Sequence, residues 1–211
     1  MSVKDLLNLV NSKGATLVAA TKYFTAEQMR ELYHEGITHF GENRVQSLLD
    51  KQALLSDLDI TWHFIGTLQT KKIKKLANTV TYMHSVHSIK TAIELDKRQV
   101  TPLKCMLQVN ISHEESKHGF LIEEVLDAIK EINTLKNIEI VGFMGMASHV
   151  DDKALISSQF QLLNDLQLEV KQELGIDLVE LSIGMSNDYL VALEHNATFI
   201  RLGSALLKEE V

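Results

Sequence analysis

The stretch TLVAATKYFTAEQMRELYHEGITHFGEN, residues 16–43, decides the fold. It opens on a short apolar run, Thr16–Lys22, and closes on another, His39–Asn43. Between them, Thr25-Ala-Glu-Gln28 reads as a capping box, with Met29, Leu32 and Tyr33 as the apolar stripe of a helix. Gly36 is placed to stop that helix. Strand, helix, strand in so short a span is one βα unit feeding a parallel neighbour.

The pattern recurs outward from this unit. Further apolar runs lie at Thr61–Gly66, Tyr82–Val86, Leu103–Asn110, Glu139–Met146, Leu178–Met185 and Thr198–Gly203. Most are apolar on both parities, as strands covered on both faces are. Helical spacing links Ile122, Val125, Leu126, Ile129 and Ile132. The stretch from Asp152 to Leu174 predicts a long amphipathic helix ended by Gly175. Little room precedes Thr16, so any N-terminal helix is expected to be short. No Asn-Gly hairpin signal appears. Eight βα units therefore predict a (β/α)8 TIM-type barrel of the α/β class. An open doubly wound sheet is the alternative, weakened by the lack of a GxGxxG after the first strand.

The chain has 211 residues, 45% hydrophobic and 23% charged, the profile of a globular protein with one core. With a single proline and no Gly- or Ser-rich linker, it reads as one domain over residues 1–211. A net charge of −7 argues against a general nucleic-acid partner. No signal-peptide core or membrane span is visible, and a cytoplasmic location is expected. Cys105, the single cysteine, sits in an apolar run and reads as a buried thiol.

In such a barrel, chemistry collects where strands end. Those ends are Lys22, Asn43, Gly66, Ser85, Asn110, Met146, the turn Gly184-Met-Ser186 and Gly203-Ser204. Lys22 shares parity with Val18 and Ala20; it is either a lysine snorkelling to solvent or an amine held in a confined site. Arg201 stands inside an apolar run, where a guanidinium needs partners unless the strand end is exposed. The glycine turns 182–188 and 201–206 follow strands seven and eight, a common place for phosphate. Ser186 is a candidate N-cap for a helix over 187–195. His63 faces either the barrel mouth or the core. No HxH or HExxH pair suggests a metal, and the lysines at 71, 72, 74 and 75 read as a solvated helix face.

Long segments of the chain also carry a resemblance. LVAATKYF (17–24), HFGENRVQ (39–46), WHFIGTLQTKKIK (62–74), MHSVHS (83–88), LQVNISHEESKHGF (107–120), GFMGMA (142–147), LSIGMSNDYLVAL (181–193) and IRLGSALL (200–207) are similar, in this order, to pyridoxal phosphate homeostasis proteins of the YggS/PROSC type. The resemblance implies a fold-type-III barrel like the N-terminal barrel of alanine racemase, binding pyridoxal 5'-phosphate (PLP) as a Schiff base on Lys22. It implies Asn43, His63 and Ile65 around the cofactor ring, and Ser182, Gly184, Met185, Ser186, Gly203 and Ser204 around its phosphate. Arg201 would face the pyridine nitrogen.

An arginine partner leaves that nitrogen unprotonated and the ring a weaker electron sink. Fold-type-III racemases add a second, β-rich domain that contributes a tyrosine, and the chain has no further length for one. The expected role is therefore to buffer or deliver PLP in vitamin B6 homeostasis, without catalytic residues of its own. The expected partners are PLP and apo-enzymes that use it, with no nucleic acid or membrane, and the protein acting as a monomer. A small racemase using Tyr23, or a barrel for another phosphorylated metabolite, remain as alternatives. Lys117 is either an exposed loop lysine or a second amine for hand-over of the cofactor.

Overall fold

The computed structural model describes residues 1–112 and 118–207. Lys117 lies outside the described residues. Eight strands, all parallel, close into one barrel in sequence order. They are β1 (Thr16–Ala20), β2 (His39–Glu42), β3 (Thr61–Phe64), β4 (Tyr82–Val86), β5 (Leu103–Gln108), β6 (Ile138–Met144), β7 (Glu180–Ser182) and β8 (Phe199–Leu202). The helices are α1 (Val3–Ser12), α2 (Ala26–His34), α3 (Val45–Leu54), α4 (Ile73–Leu76), α5 (Ile89–Asp96), α6 (Val125–Ile132), α7 (Lys153–Leu174) and α8 (Tyr189–Glu194). The predicted barrel class and all eight strand positions agree with this order.

Local chemistry sets the helix ends. Thr25 accepts the Gln28 N–H while the Gln28 side chain accepts the Thr25 N–H, closing the expected capping box of α2. Asp152 caps α7 through the N–H groups of Ala154 and Leu155, and Gly175 ends it in the left-handed region at φ 68°. The N-terminal helix is ten residues long, more than expected; Ser2 and Asp5 form its own capping box. Ser186 does not cap α8. Asp188 occupies that position instead and turns its carboxylate back to the N–H of Met185.

Two apolar layers result. The larger lies between strands and helices and includes Phe40, Phe64, Phe143 and Phe160. A smaller cluster, Val18, Met106, Met144 and Phe199, fills the barrel interior. Cys105 is buried in the outer layer, and desolvation pushes its thiol pKa up, which keeps it protonated. Gly142 is required by packing: a Cβ there would lie 1.7 Å from the carbonyl oxygen of Glu180 on β7.

Candidate functional site

A cavity of about 350 Å³ opens at the C-terminal end of the barrel. Ala20 ends β1 and lines one side, with Asn43 and Ile65 beyond β2 and β3. Met144, Met146 and His149 come from β6 and its loop. Met185, Ser186 and Asn187 follow β7, while Arg201, Gly203 and Ser204 come from β8 and its turn. The result is an apolar slot with polar groups grouped on the β7–β8 side, the usual composition of a small-ligand site.

Two glycines shape the slot. A Cβ on Gly66 would lie 2.2 Å from the Asn43 carbonyl oxygen, so its absence lets the chain after β2 cross close over β3. Gly184 sits at φ +88°, and a Cβ there would fall 2.6 Å from that of Ala192. The turn after β7 thus bends sharply enough to bring Met185, Ser186 and Asn187 over the barrel mouth.

Arg201 is 5% exposed and carries the cavity's fixed charge. One terminal nitrogen, Nη1, donates to the Ser182 carbonyl at 2.7 Å and to Ser182 Oγ at 2.6 Å; Nη2 donates to the Gly145 carbonyl at 3.2 Å. These contacts use three of its five donors and leave others free for a ligand. Desolvation pushes its pKa down to about 10, opposed by the Asp188 carboxylate, so the guanidinium remains charged at neutral pH.

The two turns behind Arg201 converge. The Ala205 N–H donates to Ser186 Oγ at 3.3 Å, tying the β8 turn to the β7 turn. Among the described residues, the amides of Ser186, Asn187 and Gly203 donate to no protein acceptor. Unpaired amides beside a buried cation make an anion-binding corner.

Lys22 is exposed and lies two residues beyond the end of β1. The parity that aligns it with Val18 and Ala20 ends with the strand, and its Nζ rests 4.7 Å from the centre of the Tyr23 ring. Such an exposed contact contributes only about 0.5–1 kcal/mol, too little to fix the stem. Its neighbour Thr21 is held firmly. Thr21 Oγ1 donates to Glu42 Oε1 at 2.8 Å, and Lys51 Nζ reaches both that oxygen and the Thr21 carbonyl at 2.5 Å. This buried ion pair anchors the backbone from which Lys22 extends.

The sequence-predicted residues thus divide. Asn43, Ile65, Met185, Ser186, Arg201, Gly203 and Ser204 meet at the cavity wall. Gly184 forms the turn behind it. His63 and Ser182 are fully buried in the barrel beneath, Ser182 touching Arg201. The residues overlooked were Ala20, Met144, His149 and Asn187. His149 follows β6 within GMASH, on the same barrel end as the glycine turns, and that position was its one sequence signal. Among the described residues no group of three or more His, Cys, Asp or Glu is arranged to hold a metal. No helix among them is long and apolar enough to cross a membrane.

Comparison with known proteins extends these findings. Residues 3–210 match the family model described as the alanine racemase N-terminal domain. The pyridoxal phosphate homeostasis protein of Aquifex aeolicus is 36% identical over 198 residues, covering 92% of this chain and 87% of that protein. The proteins of the same name from Schizosaccharomyces pombe and Homo sapiens are each 38% identical, covering 93% and 92% of this chain and 84% and 76% of their own lengths. The solved structure of PipY from Synechococcus elongatus with PLP bound superposes with a TM-score of 0.89 at 31% identity, covering 98% of this chain and all of that one. Alanine racemase from Clostridium difficile, at 15% identity and a TM-score of 0.76, shares the fold; this chain covers 55% of it.

Proposed function

The chain belongs to the pyridoxal phosphate homeostasis protein family, and from that membership we propose that it binds PLP at the barrel mouth, holds it on Lys22, and buffers or delivers it without turning over a substrate. The observation that carries the reading is Arg201, a buried cation on the cavity wall beside a corner of unpaired amides.

The residues present fit the cofactor. Ile65, Met144 and Met146 offer apolar surface to a flat ring. The turns at Gly184 and Gly203, with Ser186 and Ser204, offer donors to a phosphate. Arg201 offers guanidinium N–H groups to a ring nitrogen, and Lys22 a primary amine on an anchored backbone. When bound, PLP supplies an aldehyde that an amine captures and a ring that draws electrons. Arg201 stays protonated and can only donate, so the nitrogen it meets is an unprotonated acceptor and the electron pull is weak. This favours holding the cofactor over carbanion chemistry. Among the described residues that line the cavity there is no tyrosine, and His149 is the one imidazole. The whole chain, residues 1–211, serves in this reading as a single cofactor-binding domain. It acts in the cytoplasm as a monomer, with apo-enzymes that require PLP as recipients.

Borohydride treatment of the protein loaded with PLP, followed by peptide mapping, tests the assignment. The expected result is a reduced pyridoxyl group on Lys22, absent from Lys22→Ala. Attachment to a different lysine would overturn the site. Racemisation of an amino acid by the purified protein, abolished by Lys22→Ala, would overturn the carrier role.

A further inference from the structure

Beneath the cavity, four side chains that face inward from different strands form a continuous hydrogen-bonded column ending on Arg201. His39 Nδ1 meets His63 Nε2 at 2.9 Å, His63 Nδ1 meets His84 Nε2 at 2.7 Å, and His84 Nδ1 meets Ser182 Oγ at 2.7 Å. Ser182 Oγ receives Arg201 Nη1 at 2.6 Å. The column begins at the first residue of β2, climbs through β3 and β4, crosses the barrel to β7 and ends on β8. His63, His84 and Ser182 have no exposure, whereas His39 is half-buried at the opposite end of the barrel from the cavity.

Arginine fixes the direction of every bond in this column. It can only donate, so Ser182 Oγ accepts from it, and the serine proton goes to His84 Nδ1, the one acceptor it meets among the described residues. His84 is then protonated at Nε2 and donates to His63 Nδ1. His63 is in turn protonated at Nε2 and donates to His39 Nδ1. All donors point from the cavity toward His39.

We infer that His39, His63, His84 and Ser182 are positioning residues for Arg201, holding its guanidinium at the cavity wall and transmitting proton uptake at His39 to it. A proton added at His39 Nδ1 faces the N–H of His63 across their contact. The two donors repel and part, and His63, which keeps its single proton on Nε2, is displaced against His84. The displacement passes through the 2.7 Å contact of His84 with Ser182 Oγ. It thereby shifts the oxygen on which Arg201 rests.

The surroundings suit such transmission. The Tyr82 ring stacks on His63 at 4.8 Å and 7°, and Phe199 packs against all three imidazoles. Val18, Met106 and Met144 complete a dry interior from β1, β5 and β6. The charged or titratable groups around the column are Arg201, Asp188 near that guanidinium, Tyr82, and Lys104, whose Nζ lies 5.4 Å from the Tyr82 ring centre. Glu180 shares the inward face of β7 with Ser182. Burial holds His63 and His84 well below the ordinary histidine range, and His39 below it, so the column is neutral at neutral pH.

The inference rests on the proposed site for its meaning, but its test does not need the cofactor. Long-range ¹H–¹⁵N spectra of the labelled full-length protein at neutral pH read the tautomers directly. All three histidines are expected as the Nε2–H form; His84 carrying its proton on Nδ1 would overturn the column. As pH falls, the Arg201 guanidinium signals are expected to shift with the midpoint of His39. In His63→Phe that shift is lost while His39 still titrates, and His39→Phe, which leaves the buried bonds intact, removes the same inflection. An Arg201 signal that stays flat through the titration of His39 in the wild-type protein overturns the inference without any variant. Repeating the titration with PLP separates the two readings: coupling without cofactor binding defeats the proposed function alone, and binding with a flat Arg201 signal defeats the column alone.

Discussion

Gly184 shows how much rests on one residue. Its φ of +88° costs an L side chain about 1–2 kcal/mol, and a Cβ there also collides with Ala192. Gly184→Ala is expected to lower the unfolding free energy measured in urea by at least that amount and to weaken PLP binding, because the anion corner moves with the turn; unchanged affinity by fluorescence titration would count against a phosphate role for it. Lys51 presents a different kind of dependence. Lys51→Met strands the 1%-exposed Glu42 without a cation, an expected loss of about 3–5 kcal/mol. Adding Glu42→Gln should recover much of that loss, and if it recovers nothing, packing of the lysine stem is what matters. Site residues were legible in the sequence where they broke a local rule: Arg201 within an apolar run, and glycines directly after strands. Ala20 and Met144 broke none, since an apolar residue at inward parity looks the same whether it lines a cavity or a core. His63 stayed open between barrel mouth and core, because its depth is set by the stagger between neighbouring strands. For Lys22 parity failed altogether, because its strand ends two residues earlier.

Elements were more legible than side chains, because apolar runs and caps are written locally. The ends were less so. The run Leu178–Met185 yields only Glu180–Ser182 as β7. On one side the Gln167 side chain takes the Leu178 carbonyl at 2.8 Å in place of a ladder bond, and on the other Gly184 turns the chain away. No neighbouring residue type announces such a side-chain substitution for the ladder. Likewise Ser186 has the chemistry of an N-cap, yet its hydroxyl serves the Ala205 amide while Asp188 heads the helix. Asp152, the N-cap of α7, lies far along the chain from the glycine turns. Asp152→Ala should cost about 1 kcal/mol. For a chain of this size that is a fall in Tm of roughly 2–4 °C. PLP affinity is expected to be unchanged, since no cavity residue belongs to α7. Calorimetry and titration together check both halves of that statement.

At the scale of the whole molecule, the buried histidines link stability to acid. His63 and His84 are held neutral by desolvation, with Arg201 and His39 repelling a proton on His84, and His84 and His39 repelling one on His63. In the unfolded chain both take up protons below about pH 6.5. Between that value and their depressed folded values the unfolded state binds more protons, so stability rises with pH and falls as acid is added. Each histidine then contributes a slope of up to about 1.4 kcal/mol per pH unit. The carboxylates whose pKa is lowered, such as Asp57 and Glu94, act in the same direction but only below their own unfolded values near about pH 4. The interval from about pH 6.5 to about pH 5 therefore isolates the histidines. Urea unfolding across it should show a steady loss for the wild-type protein and a shallower slope for His84→Gln, which keeps His63 and half-buried His39 as imidazoles with lowered pKa. The variant will also start from lower stability, because Ser182 and His63 lose a partner, so the slope and not the midpoint is the diagnostic quantity. A wild-type profile that stays level through this interval would mean that the column is already protonated when folded, which the donor geometry leading from Arg201 to His39 forbids.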